Sequence, residues 1–134
     1  MNSVFGDTVY FLALVNARDQ FHAQAKELSR QSPGSLVTTE WVLTEIGDAL
    51  SAPGARVKFT SLLGTLQRQP DVEIVPASHD LFAKGCAAFG ERSDKAWSLT
   101  DCISFAVMRE RKIDSALTAD HHFAQAGFHV LMSL

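Results

Sequence analysis

Short apolar runs alternate with amphipathic helical stretches along the whole chain, and that alternation leaves few folds open. Val4-Phe5 stops at Gly6-Asp7 and reads as a buried strand. Leu36-Val37-Thr38-Thr39 is short and β-branched, and Val72-Glu73-Ile74-Val75 alternates until Pro76 ends it. Ala116-Leu117-Thr118 and His129-Val130-Leu131 complete five strands. Helical patterns fill the spaces. Tyr10, Phe11, Leu14 and Val15 mark one helix, and Phe21, Ala25 and Leu28 mark a second that breaks at Ser32-Pro33-Gly34. Val42, Leu43, Ile46, Ala49 and Leu50 form one buried stripe, stopped at Ala52-Pro53-Gly54. Another helix runs through Val57, Phe59, Leu62, Leu63 and Leu66. Ser78-His79-Asp80 reads as a cap before a helix whose apolar positions are Leu81, Phe82, Cys86 and Phe89. Ser98 to Lys112 is apolar almost all round, hence central, and a short helix starts near His121. Strands separated throughout by helices imply a parallel sheet covered on both faces, a three-layer α/β/α domain.

The length of 134 residues suits one domain, 1–134, and no repeat or Gly/Pro/Ser-rich linker divides it. A chain of this size buries roughly 70% of its unfolded surface and needs no disulfide or metal to hold it. The two cysteines, Cys86 and Cys102, lack CxxC spacing and lie in apolar helical stretches, so both are expected as buried free thiols rather than zinc ligands. Met1 to Gly6 carries no basic leader, and no run approaches the ~20 apolar residues of a membrane span. The expected location is cytoplasmic. The formal charge of -3, from 12 basic and 15 acidic residues, excludes attraction of nucleic acid by the overall field. Any such binding must use local bases or bound cations.

The chemistry points to Asp7, Glu45, Asp101 and Asp120. Each has an ordinary explanation alone. Asp7 and Asp120 stand where helix N-caps are common. Ser98-Leu99-Thr100-Asp101 has the form of a capping box, and Glu45 is one more acid on an amphipathic helix. Together their placement is less ordinary. Ligands of an open parallel sheet bind beyond the carboxyl ends of its strands, where strand order reverses. Asp7 ends the first strand, Asp120 follows the fourth, Glu45 lies little more than a turn after the second, and Asp101 sits in the first turn of the helix leading to the fourth. Four such carboxylates repel one another when bare, and hard divalent cations with a preference for oxygen relieve that repulsion.

The segments Val4-Phe5-Gly6-Asp7-Thr8, Thr44-Glu45-Ile46, Ser98-Leu99-Thr100-Asp101-Cys102 and Leu117-Thr118-Ala119-Asp120 resemble the acidic motifs of PIN domains, in particular the single-domain toxins of VapBC-type toxin-antitoxin pairs. The likeness extends over essentially the whole chain. It implies a five-stranded sheet of order 3-2-1-4-5, which sets Asp7 and Asp120 side by side at the reversal point. It also implies Asp7, Glu45, Asp101 and Asp120 as metal-binding acids, with Thr8 and Thr118 as supporting hydroxyls.

The resulting expectation is Mg²⁺- or Mn²⁺-dependent hydrolysis of RNA phosphodiesters. Asp7, Asp101 and Asp120 would be direct ligands, while Glu45 would ligate or orient the attacking water. Arg56, Lys58, Arg68, Arg92 and Lys95 are the local bases offered to RNA. A small antitoxin protein is implied as partner, and the apolar helices of so short a chain suggest a homodimer. Asp48 and Asp94 read as surface acids, His121 and His122 as surface residues of a helix start, and Trp41 and Trp97 as packing. The alternative is a catalytically silent PIN-fold scaffold or RNA-binding module, against which the presence of all four acids weighs. A receiver-like phosphoacceptor domain would need paired acids after the first strand and a Lys near the last. Asp7 stands alone and His129 to Leu134 contains no Lys.

Overall fold

The computed structural model describes residues 2–31 and 34–134. The expected break at Ser32-Pro33 lies outside the described residues, save for Gly34. Strands β1 (Ser3–Gly6), β2 (Ser35–Thr39), β3 (Val72–Val75), β4 (Ser115–Leu117) and β5 (His129–Val130) form one sheet of order β3-β2-β1-β4-β5. Every pairing is parallel, with Phe5 opposite Val37 on one side and Ala116 on the other. The expected order and all-parallel sense are those observed. Strand order reverses at β1, so β1 and β4 end side by side, and the Asp7 N–H continues their ladder to the Leu117 carbonyl at 3.2 Å.

Helices α1 (Thr8–Val15), α2 (His22–Arg30), α3 (Glu40–Ala49) and α4 (Arg56–Arg68) make the crossovers from β1 to β3. Helices α5 (His79–Glu91) and α6 (Leu99–Glu110) carry the chain back from β3 to β4, and α7 (His121–Gln125) joins β4 to β5. Right-handed connection of parallel strands puts these two sets on opposite faces of the sheet. Helices α3, α5 and α6 each begin on a side-chain cap: Thr39 accepts from the N–H of Val42, Ser78 from Leu81 and Ser98 from Asp101. None of the described helices is long and apolar enough to cross a membrane.

The core runs through Phe5, Phe11, Val42, Ile46, Phe105, Met108, Ala116 and Phe123. Phe105 is its hinge: its ring meets Phe123 edge-on at 4.9 Å and Trp97 at 5.1 Å. Such pairs add about 0.5–1.5 kcal/mol each beyond the area they bury. Trp97 is buried as expected of a packing residue, and its indole N–H donates to Gln125 at 3.0 Å. Helix α6 is buried nearly all round, with Asp101, Cys102, Ile103, Ser104, Phe105, Val107 and Met108 inside.

Helix α5 departs from the expected packing. It turns Leu81, Gly85 and Ala88 inward, and leaves Phe82 at 43% and Phe89 at 51% exposure with Cys86 exposed between them. Cys102 is buried as expected, but Cys86 is not. Gly85 supplies the reason. A Cβ there would lie 2.3 Å from Cγ1 of Ile103 and 3.3 Å from its Cα, so α5 and α6 approach through a position only glycine fills. A helix seated on its small residues presents the larger ones outward. Gly85→Ala gains helix propensity but overpacks this contact. Urea unfolding should register a net loss of about 1–3 kcal/mol; unchanged stability would mean that α6 yields freely there.

Candidate acidic active site

The residues that follow β1 and β4, the first turns of α1, α6 and α7 and the later turns of α3 enclose one open concavity. Asp7, Thr8, Glu45, Asp101, Asp120 and His122 line it. Asp7 ends β1 in the N-cap position of α1, yet its side chain makes no cap hydrogen bond. The carboxylate turns instead across the reversal point, where Oδ2 accepts from the buried Thr118 hydroxyl at 2.8 Å. The same Thr118 oxygen accepts from the Asp120 N–H at 3.1 Å, so one hydroxyl links the acids that follow β1 and β4.

The helix ends set the other acids. Asp101 is the third residue of α6 and completes a capping box: its N–H donates to Ser98 Oγ, and its Oδ2 accepts from the Ser98 N–H at 3.1 Å. Capping and site placement are therefore not alternatives at Asp101. The cap consumes Oδ2 and leaves Oδ1 without a donor among the described residues. Asp120 caps α7 in the same manner, with Oδ1 accepting from the His122 N–H at 2.9 Å. Glu45 is half-buried on α3, and its Oε1 accepts from the Thr8 hydroxyl at 2.6 Å.

Charge accumulates here without a counter-ion. Among the described residues no Lys or Arg pairs with any of the four acids; their ionic neighbours are His121 and His122. Asp7, only 5% exposed, is pushed up to about 7, first by burial and further by the charges of Asp101 and Glu45, against the hydrogen bonds of Thr118 and Thr8. Burial also raises Asp101, with the Asp120 charge adding and the Ser98 N–H and His122 opposing. Several carboxylate oxygens free of donors, with burial and mutual repulsion unrelieved, are what a hard divalent cation neutralises. The donor set fits such an ion.

The residues around the acids divide. Asp48 and Asp94 are surface acids as expected, Asp48 on the rim of the concavity and Asp94 paired with Arg92. Arg92 is further committed by stacking over Trp97 at 5.1 Å from the ring centre, whereas Arg56 and Lys58 are exposed at the start of α4. His121 is exposed as expected. His122 is not a bystander: its ring is half-buried in the concavity, with Nδ1 3.3 Å from both Asp101 Oδ2 and Asp120 Oδ1. The available signal was its place two residues after a capping Asp. The N–H that closes the cap turns the following ring towards the same acid.

Residues 4–129 match the family model of the PIN domain. The chain is 33% identical over 126 residues to the 23S rRNA-specific endonuclease VapC20 of Mycobacterium tuberculosis, across 93% of this chain and 95% of that protein. The crystal structure of that organism's VapC20, a sarcin-ricin loop cleaving toxin, superposes with a TM-score of 0.85 at 28% identity, covering 93% of this chain and 95% of that one. VapBC2 from Rickettsia felis, bound to a DNA fragment from its promoter, matches with a TM-score of 0.65 at 12% identity over 96% of each chain, a likeness of fold.

The raised pKa of Asp7 has a consequence for stability. A carboxyl with a raised folded pKa holds its proton more tightly folded than unfolded, so stability falls as pH climbs from the unfolded value of 3.8 towards 7 and then levels off. In metal-free buffer the slope from this group approaches about 1.4 kcal/mol per pH unit. Asp7→Asn keeps an acceptor for Thr118 and removes the charge. Thermal unfolding between about pH 4 and 7 should show a flatter profile for the variant and greater stability than the parent at neutral pH. Parallel profiles would show that Asp7 is not held protonated.

Proposed function

Because the chain belongs to the PIN-domain family, we propose that it is a metal-dependent endoribonuclease, the toxin of a toxin-antitoxin pair, with Asp7, Glu45, Asp101 and Asp120 as its active-site acids. The observation that carries this reading is the convergence of four carboxylates, without Lys or Arg, at the strand-order reversal of a parallel sheet. Mg²⁺ or Mn²⁺ is the ion proposed. Asp7, Asp101 and Asp120 would hold it, and Glu45 would ligate or orient the attacking water. Such an ion, when bound, polarises the phosphate and lowers the pKa of a bound water.

The chain's own residues do the positioning. Thr118 fixes the rotamer of Asp7, the Ser98 N–H fixes Asp101, and the His122 N–H fixes Asp120. Thr8 engages Oε1 of Glu45, which leaves Oε2 as the proton acceptor for water. The substrate class proposed is ribosomal RNA of the kind cut by the VapC20 relative, with Arg56 and Lys58 as free bases on the protein surface. A homodimer and a small antitoxin partner belong to the same reading.

Cleavage of an RNA hairpin carrying the sarcin-ricin loop sequence tests it. The wild-type protein should cut with added Mn²⁺ and stop with EDTA. Asp101→Asn retains a cap acceptor at the amide oxygen and removes a ligand charge, so the fold should persist while cleavage falls by at least a hundredfold. An Asp101→Asn protein that cuts as well as wild type would remove Asp101 from the site, and a folded wild-type protein that cuts no RNA would favour a silent scaffold. Light scattering should give twice the chain mass at micromolar concentration; a monomer across that range would end the dimer proposal.

A further inference from the structure

We propose that His122 is a positioning residue of this site: its ring bonds Asp101 while its backbone N–H caps Asp120, so that one residue holds the two acids together and turns their free oxygens towards the metal. The inference rests on the metal-site reading above. The two acids arrive on separate elements, Asp101 in the first turn of α6 and Asp120 at the cap of α7, and no direct hydrogen bond joins their side chains. His122 touches both. Its Nδ1 is hydrogen-bonded to Asp101 Oδ2 at 3.3 Å and lies at ion-pair distance, 3.3 Å, from Asp120 Oδ1.

An atom set between two carboxylate oxygens carries a hydrogen, whatever the state of Nε2. Its lone pair is therefore not offered to a cation, and His122 is not a ligand through this nitrogen. The oxygens it engages are also those already taken by backbone donors: Ser98 N–H holds Asp101 Oδ2 and His122 N–H holds Asp120 Oδ1. The ring thus bonds the occupied side of Asp101 and lies against the occupied side of Asp120. Oδ1 of Asp101 and Oδ2 of Asp120 remain free of donors among the described residues. Orientation of ligating groups by such outer donors characteristically sets metal affinity.

His121, on the same turn, is exposed and comes no nearer than 3.9 Å to Asp120, so the bridging geometry belongs to His122.

Side-chain isosteres separate positioning from bulk. The Asn amide nitrogen reproduces the place of Nδ1, whereas the Gln amide nitrogen reproduces that of Nε2 and Ala has neither. Mn²⁺ binding to the full chain is measured by isothermal titration calorimetry, with thermal unfolding in metal-free buffer as the check of folding. His122→Asn should bind Mn²⁺ within about threefold of wild type, while His122→Gln and His122→Ala should bind roughly tenfold to a hundredfold more weakly. Single-turnover RNA cleavage should follow the same ranking. Equal binding by the Asn and Gln variants, or wild-type binding by the Ala variant, overturns the positioning role and leaves the metal site standing. A wild-type protein that binds no Mn²⁺ instead overturns the metal site itself, and this inference with it.

Discussion

A carboxylate closed off at the end of the central strand is unfavourable in its charged form unless something compensates it, and the functional end of this protein is arranged around that requirement at Asp7. Burial first, with the charges of Asp101 and Glu45 in the same direction and the hydrogen bonds of Thr118 and Thr8 against it, pushes its pKa up to about 7. The compensation within the chain is the Thr118 hydroxyl, itself fixed by the Asp120 N–H, and the backbone N–H of Thr8. Positive charge from Lys or Arg is withheld from all four acids among the described residues. An arrangement that leaves this deficit standing is destabilised when bare, and a cation bound as proposed would couple the stability of the fold to occupancy of the site.

The sheet topology creates the place where this happens. Reversal of strand order at β1 means that the crossovers leave β1 and β4 in opposite directions, so a crevice opens between their carboxyl ends. Helix termini then face the crevice. Their unpaired N–H groups orient acids that would otherwise be free to turn away, and each capping bond takes one oxygen and exposes the other. In the proposed site, capping and metal binding would draw on different oxygens of the same carboxylate. A residue such as Asp101 would therefore need no choice between holding its helix and holding an ion.

The far layer shows how small residues decide larger exposures. Gly85 lets α5 settle onto Ile103, and that seating turns Phe82, Cys86 and Phe89 outward although their spacing reads as an apolar face. A hydrophobic periodicity identifies a helix and its candidate faces. Which face wins depends on how closely the partner helix approaches, a property of two surfaces at once.

The amino-acid sequence by itself determined the strands and their alternation with helices, because those depend on local patterning: β-branched runs and 3.6-residue stripes. The placement of the acids made them candidates, and the likeness to PIN motifs supplied the strand order and their proposed metal-binding role. What only the tertiary structure decided were relations between elements distant in sequence. Thr118 reaches across 111 positions to Asp7, and Thr8 across 37 to Glu45. His122 stands 21 positions from Asp101 and read as a surface residue until α6 and α7 were brought end to end. Local composition cannot report such contacts, since the side chains meet only after the sheet has closed the distance between them.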